Sequence, residues 1–409
     1  MLLKKTANIW APILIILVMV GLTVLNYNLD QQNQLQDQFA VRWNAARNWM
    51  SEGWSPYSEE TRQAALEELN DNNSLPNQRD QGYFLDPAWY IYLLIPISFI
   101  RYPIAKAIWM MLTQASIIIS VLVSIRLSGI KLKGLEIFLT CLVVALIYPF
   151  VRASLEASMA PFAIMMTLLA IRSALEGKGN QSGLLFLFAI WFNPVAFFAL
   201  IFLAIYLGSR RDNEMIRIFM IGFAFLLVTS LILFPNWISE WFGVLVRLEP
   251  GIDWLNTPLM GIARAFPGAY QQIAIGLHLF AFIMLLVEWY GLGNKNERGL
   301  QWKLMLTLIV SYFLNLYSDG AYLLLALPAI FGIFKYLPEK WTVSGKILYW
   351  VSILIIAYLS WQLVPDPLDG FPQAHSVTIL VVPFVIFVGL QYFRWWALAS
   401  PKALVESNN

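Results

Sequence analysis

Residues 9–27 read IWAPILIILVMVGLTVLNY, and residues 28–57 read NLDQQNQLQDQFAVRWNAARNWMSEGWSPY. The first stretch is apolar without a break and long enough to cross a bilayer core of about 30 Å. The second changes character abruptly and opens a polar loop that runs to Pro87. That loop carries ten acidic residues (Asp30, Asp37, Glu52, Glu59, Glu60, Glu67, Glu68, Asp71, Asp80, Asp86) and four basic ones (Arg42, Arg47, Arg62, Arg79). A lipid-length apolar run that passes into a long charged segment predicts an integral membrane protein with its chemistry in that segment.

The whole chain agrees with this reading. It is 59% hydrophobic and 13% charged over 409 residues, with mean hydropathy +0.64. A soluble domain is about 25% charged. The net charge of +2 and the lack of a basic run exclude nucleic acid as an expected partner. The single cysteine, Cys141, lies in an apolar run, which excludes an internal disulfide and a cysteine metal site. Residues 9–27 are longer than a signal-peptide core, and Asn26-Tyr27-Asn28 offers no small-residue cleavage site. They are expected to stay as a first helix, with Lys4 and Lys5 in the cytoplasm.

Eleven further apolar runs follow, at 88–100, 104–126, 135–151, 155–175, 183–207, 215–235, 270–292, 302–318, 321–337, 347–364 and 376–393. Basic clusters (Arg126/Lys131/Lys133, Arg172/Lys178, Arg210/Arg211/Arg217, Lys295/Arg298/Lys303, Lys335/Lys340/Lys346, Arg394/Lys402) alternate with acidic or aromatic loops from residue 126 onward. The exception is 183–207, basic at both ends and interrupted by Asn193-Pro194, where proline breaks a helix. Two half-spans beside a groove lined by Phe192, Phe197 and Phe198 fit both facts. The run at 88–100 is short, re-entrant or a span that breaks the charge rule. The expected fold is an all-α, single polytopic membrane domain of 11 to 13 crossings in the cell membrane, with both termini cytoplasmic and loops 28–87 and 236–269 outside.

Inside the long loop, Phe39, Trp43, Ala46 and Met50 fall on one helical face, and Asp37, Asn44 and Asn48 on another. Gly53 stops this helix, and Trp54-Ser55-Pro56-Tyr57 reads as a turn. Ser58 reads as the N-cap of a second helix over 59–69, with Glu59 and Glu60 in its first turn. Both helices are expected to be amphipathic and to lie on the outer leaflet.

The stretch from Asp37 to Arg47, with its Asp-aromatic-Ala-Ala order, followed by Gly53-Trp54-Ser55-Pro56-Tyr57 and by Tyr83-Phe84-Leu85-Asp86-Pro87, resembles the first-loop signature of family 87 of the GT-C glycosyltransferases. The resemblance rests on about 50 residues of motif and on the layout of the whole chain. The chain departs from the family pattern at named places. Gln38 stands before Phe39 where the family has the Asp, and Asp86 stands where it has Tyr. Glu156-Ala157-Ser158 replaces a Gly-Gln, and Asn193-Pro194 replaces a Lys-Pro.

The resemblance implies a GT-C-like bundle that moves a sugar, mannose or another hexose, from a polyprenyl-phosphate donor to a lipid or glycan acceptor, with inversion. That chemistry needs a general base for the acceptor hydroxyl and positive charge for the leaving phosphate. Asp37 is the expected base and Asp86 the second candidate. Arg264, downstream of the family-like Asn256-Thr257-Pro258, Arg152, Arg42 and Arg247 are the candidates for the donor phosphate. Trp43, Asn44, Tyr57, Glu156, Asn193, Asn256, His278 and Asp319 complete the candidate pocket. Each has a plainer reading. Arg152 and Glu156 make a local ion pair at one-turn spacing, His278 is a hydrogen-bonded core histidine, and Asp319 caps a turn. His375 with Asp366 and Asp369 lacks metal-ligand spacing, so neither a metal nor another cofactor is expected.

No Gly-rich phosphate loop, His-Glu-x-x-His or Gly-x-Ser-x-Gly occurs, which argues against an ATP-driven pump, a zinc protease and a serine esterase. A lipid-linked sugar flippase or transporter, an inactive relative, and a glycan polymerase or ligase stand as rivals. A flippase would want two similar halves, and no internal repeat is visible. The expected partners are the sugar donor, the acceptor and membrane lipid, with the chain acting as a monomer.

Overall fold

A computed structural model describes residues 2–32, 36–72, 74–76, 81–192, 195–247, 258–264, 266, 268–291, 297–315, 320–340, 345–365, 372–374 and 377–394. Among the described residues most of each apolar run is helix, because a backbone removed from water must satisfy its N–H and C=O groups within its own segment. The helices are α1 (Leu2–Gln32), α2 (Ala40–Glu52), α3 (Glu59–Asp71), α4 (Ile91–Ser98), α5 (Tyr102–Ser128), α6 (Gly134–Ala145), α7 (Tyr148–Leu155), α8 (Ala160–Leu175) and α9 (Gly179–Phe192). They continue with α10 (Ala196–Ser209), α11 (Glu214–Leu233), α12 (Trp237–Arg247), α13 (Pro258–Ala263), α14 (Tyr270–Gly291), α15 (Glu297–Leu314), α16 (Leu327–Lys340), α17 (Gly345–Ser360) and α18 (Val382–Tyr392). Two short ladders accompany them. Strand β1 (Gln36–Asp37) pairs in parallel with β2 (Leu75–Pro76), and β3 (Leu363–Pro365) pairs antiparallel with β4 (Pro372–Ala374).

Among the described residues, five helices are long and apolar enough to cross a membrane, or six if the bent pair α6–α7 counts as one span. The five are Pro12–Asp30, Tyr102–Ser128, Glu214–Leu233, Tyr270–Tyr290 and Gly320–Leu337. Six shorter apolar helices, including Ala88–Ser98 and Ala196–Ser209, occupy other runs. The chain is an all-α membrane protein.

The chain divides into two units. The first holds Met1–Ser116, Arg152–Met159 and Ala224–Ile252, and the second holds Ile117–Val151, Ala160–Phe223 and Asp253–Asn409. In the first, α2 is the centre. Phe39, just before it, stacks on Trp109 at 5.5 Å, and Trp43 meets Tyr102 edge-on at 5.4 Å. Ala45 and Ala46 are fully buried, and α2 packs on α4, where Trp43 and Arg47 donate to the Ile97 and Ser98 carbonyls. The expectation of an amphipathic surface helix fails for α2. Ala40, Val41, Trp43, Asn44, Ala45, Ala46 and Asn48 are all buried, on more than one face, while Met50 is exposed. Helix α3 keeps the expected pattern, burying Thr61, Ala65 and Leu69 at one-turn spacing.

In the second unit, the 3₁₀ segment Gly320–Ala326 and α16 form a helix that is 83% buried over its apolar window. Gly332 makes room for α15, since a Cβ there would sit 2.5 Å from Met305 Sδ. Three boundaries differ from the sequence reading. Helix α1 continues past Tyr27 to Gln32. The run 135–151 bends by 67° between α6 and α7. Pro149 has no N–H to continue the α6 ladder, and the Tyr148 N–H goes instead to Ser360 Oγ at 3.0 Å. Residues 156–159 are a connection, with helix resuming at Ala160. The interruption near Asn193-Pro194 separates α9 from α10. Those two residues, and the side chain of Phe192, lie outside the described set. Phe197 is exposed, and Phe198 packs on Phe282 at 6.2 Å.

Candidate functional site

The polar groups of the first unit gather at the start of α2. Asp37 ends β1 rather than lying on the helix, and its Oδ1 accepts the N–H groups of Phe39 at 2.7 Å and Ala40 at 2.9 Å. These are orphan donors of a helix start, which an aspartate caps well. Its other oxygen, Oδ2, takes Lys106 Nζ at 2.8 Å and the Tyr102 hydroxyl. Lys106 Nζ also meets Asp30 Oδ1 at 2.5 Å and Ser74 Oγ at 3.3 Å. The three charged side chains are at most 3% exposed. Two carboxylates thus share one ammonium in a closed core, an arrangement sustained only by close pairing. One turn earlier on α1, Asn26 and Gln114 exchange amide hydrogen bonds at 3.2 and 3.0 Å, tying α1 to α5.

Beside this core lies a more open set. Arg42 donates from Nε to Asp86 Oδ2 at 2.7 Å and from Nη1 to the Gln38 carbonyl, and its guanidinium lies 5.7 Å from the centre of the Tyr90 ring. The Arg42 and Asp86 side chains are 20% and 15% exposed. The Tyr57 hydroxyl donates to the Asp86 carbonyl at 2.8 Å. Burial foremost, and then the Asp86 and Glu240 carboxylates, hold the Tyr57 phenol above its ordinary value. Gln38 reaches the other way. Its N–H donates to the Glu156 carbonyl at 3.1 Å and its Nε2 to Glu156 Oε2 at 2.9 Å. Glu156 Oε1 in turn pairs with Arg152 Nε at 2.5 Å. Ala157 has φ +50°, and the turn it makes returns the Ser158 N–H to the Ala153 carbonyl at 2.9 Å.

The structure therefore gathers Asp37, Asp86, Arg42, Arg152, Glu156 and Tyr57 around the first turn of α2. Gln38 and Glu156, two of the positions that depart from the family pattern, bond to each other. Trp43 and Asn44 belong to packing: Trp43 Nε1 donates to the Ile97 carbonyl at 3.2 Å, and Asn44 Nδ2 to the Ala40 carbonyl at 3.2 Å. Arg247 is exposed at the end of α12. Arg264 is exposed just after α13, and His278 bonds through Nδ1 to the Ala274 carbonyl at 2.7 Å; both belong to the second unit. Asn193, Asn256 and Asp319 lie outside the described residues, as do His375, Asp366 and Asp369. Among the described residues, no group of three His, Cys, Asp or Glu is placed to hold a metal ion.

Asp30, Lys106, Tyr102 and Gln38 were not singled out from sequence. Lys106 carried a readable signal: it is the only charge between Tyr102 and Ile125, and an ionisable residue inside an apolar span marks a site by default. No protein-family model matches the chain, and no curated protein or solved structure matches it.

Proposed function

We propose that this protein is a membrane glycosyltransferase. It takes a hexose from a polyprenyl-phosphate donor and passes it, with inversion, to a hydroxyl of a lipid or glycan acceptor. The observation that carries this reading is the convergence of Arg42–Asp86 and Arg152–Glu156 on Gln38, beside the first turn of α2. Each guanidinium is a planar fork that suits a phosphate as well as a carboxylate. On donor binding the phosphate takes the place of a carboxylate partner. That exchange frees Asp86 to accept the proton of the attacking hydroxyl while the arginines hold the departing phosphate.

The acid assignment follows from access. Asp37 has both oxygens engaged and no exposed surface, so its role is to hold the first turn of α2 in place. Asp86 keeps an open edge, and it is the base in this proposal. The wider reading is a GT-C-like bundle of 11 to 13 crossings in the cell membrane. Loop 28–87 faces outside, both termini are cytoplasmic, and one chain acts alone.

The test offers radiolabelled polyprenyl-phosphate hexoses with total membrane lipid to the purified protein in liposomes. Transfer is expected, and Asp86→Asn is expected to lower it at least about 100-fold while donor binding persists. No transfer from any donor of this class overturns the reading and moves a flippase ahead. Transfer that survives Asp86→Asn and is lost with Asp37→Asn returns the base to Asp37.

A further inference from the structure

Helix α12 has one face on the polar loop. Trp237 meets Trp89 edge-on at 5.3 Å, Trp241 Nε1 donates to the Leu85 carbonyl at 2.7 Å, and the Ser55 hydroxyl donates to Glu240. Val244, on the same side, is buried. The opposite side is apolar and bare. Ile238, Phe242 and Val246 are 41%, 55% and 84% exposed, and their spacing of four residues aligns them in one stripe. Gly243 and Arg247 fall on the polar flank of that stripe.

What covers the stripe follows from continuity. Helix α11 is a lipid-length span whose window is 17% buried, and its last turn exposes Leu231, Ile232 and Leu233. Only Phe234-Pro235-Asn236 separates that turn from α12. The bare stripe therefore begins where a lipid-facing surface ends. A helix with one strongly apolar face and a basic residue at its flank is the form that lies in a membrane interface, buried about 5–10 Å into the headgroup and acyl boundary.

We infer that α12 lies flat in the membrane interface, with Ile238, Phe242 and Val246 among the upper acyl chains and Arg247 at the depth of the lipid phosphates. The lipid contact then anchors more than the helix. Leu85 and Ser55 hang from its other face, and Tyr57 is bonded to the Asp86 carbonyl. The bilayer surface thereby sets the height of the segment that carries Asp86 and Tyr57. The lipid contact itself does not depend on the glycosyltransferase reading.

Cys141 is the single native cysteine, so Cys141→Ser supplies a clean background. Phe242→Cys, Val246→Cys and Arg247→Cys are each spin-labelled, and the protein is reconstituted in phosphatidylcholine and phosphatidylglycerol liposomes. Collision with oxygen, which concentrates in lipid, is compared with collision with a water-soluble nickel chelate. Labels at 242 and 246 are expected to favour oxygen several-fold over the label at 247. The inference is overturned if 242 and 246 meet nickel as readily as 247 does. It is also overturned if they are shielded from both agents, which would mean that protein, a second copy or another segment, covers the stripe. Val246 is so exposed that its substitution disturbs no packing, so the test stands even if the Phe242 variant fails to fold.

Discussion

Replacing Lys106 by methionine removes the ammonium and keeps nearly all of the side-chain volume. The change leaves Asp30 and Asp37 facing each other in a core where neither has more than 3% of its side chain exposed. Asp37 still holds the Phe39 and Ala40 amides and the Tyr102 hydroxyl, but Asp30 loses the cation 2.5 Å away. Removing one member of a buried pair costs about 3–5 kcal/mol, because a charge is left uncompensated. At about 1.4 kcal/mol per factor of ten, the unfolded population should rise on the order of a hundred- to several thousand-fold. Asp30→Asn is the contrasting change. It leaves one ammonium against one carboxylate, and the amide oxygen can still accept from Lys106. Its cost should be under about 1 kcal/mol, as expected when no charge is stranded. Reversible unfolding in mixed micelles, followed by tryptophan fluorescence, measures both. If Lys106→Met unfolds within about 1 kcal/mol of the parent, or Asp30→Asn costs as much as Lys106→Met, the shared-ammonium account is wrong.

Three further outcomes follow from named contacts. Arg152→Gln should lower transfer by about 100-fold, the usual loss when a donor to a developing anion is removed, and steady-state kinetics with the polyprenyl-phosphate donor checks it. The Tyr57 phenol is held above its ordinary value, so the folded state favours its neutral form. That contribution is fully present below the ordinary tyrosine value of about 10 and is lost as pH rises beyond it; unfolding midpoints at pH 8 and pH 11 should therefore differ less in Tyr57→Phe than in the parent. Gly53 closes α2 at φ +71° with open space around a would-be Cβ, so Gly53→Ala should cost on the order of 1 kcal/mol from left-handed strain alone, read as a small drop in thermal midpoint.

Much of the local layout was legible from the chain itself. The end of α2 at Gly53 and the start of α3 at Ser58, whose Oγ accepts the Thr61 N–H at 3.3 Å, both depend on residues within one turn of one another. So does the membrane class, because lipid demands unbroken apolar length and that length is visible in composition. The candidate site was legible only as a list. Asp37, Arg42, Asp86, Arg152 and Glu156 could be named, but only Arg152 and Glu156, one turn apart, could be joined.

Joining the others required contacts between residues far apart in the chain. Tyr102 reaches back 65 residues to Asp37, and Gln38 bonds Glu156 across 118. Periodicity gives the face of a helix but not which faces will be covered, so α2 read as a surface helix and proved to be the centre of its unit. Lys106, a charge inside an apolar run, was passed over, and only the packing of α1, α2 and α5 gave it two carboxylates to neutralise. Caps and breaks are decided by backbone groups within a turn; the accessibility of an acid is decided by whichever distant side chains arrive to enclose it. On that ground Asp37 closed and Asp86 stayed open.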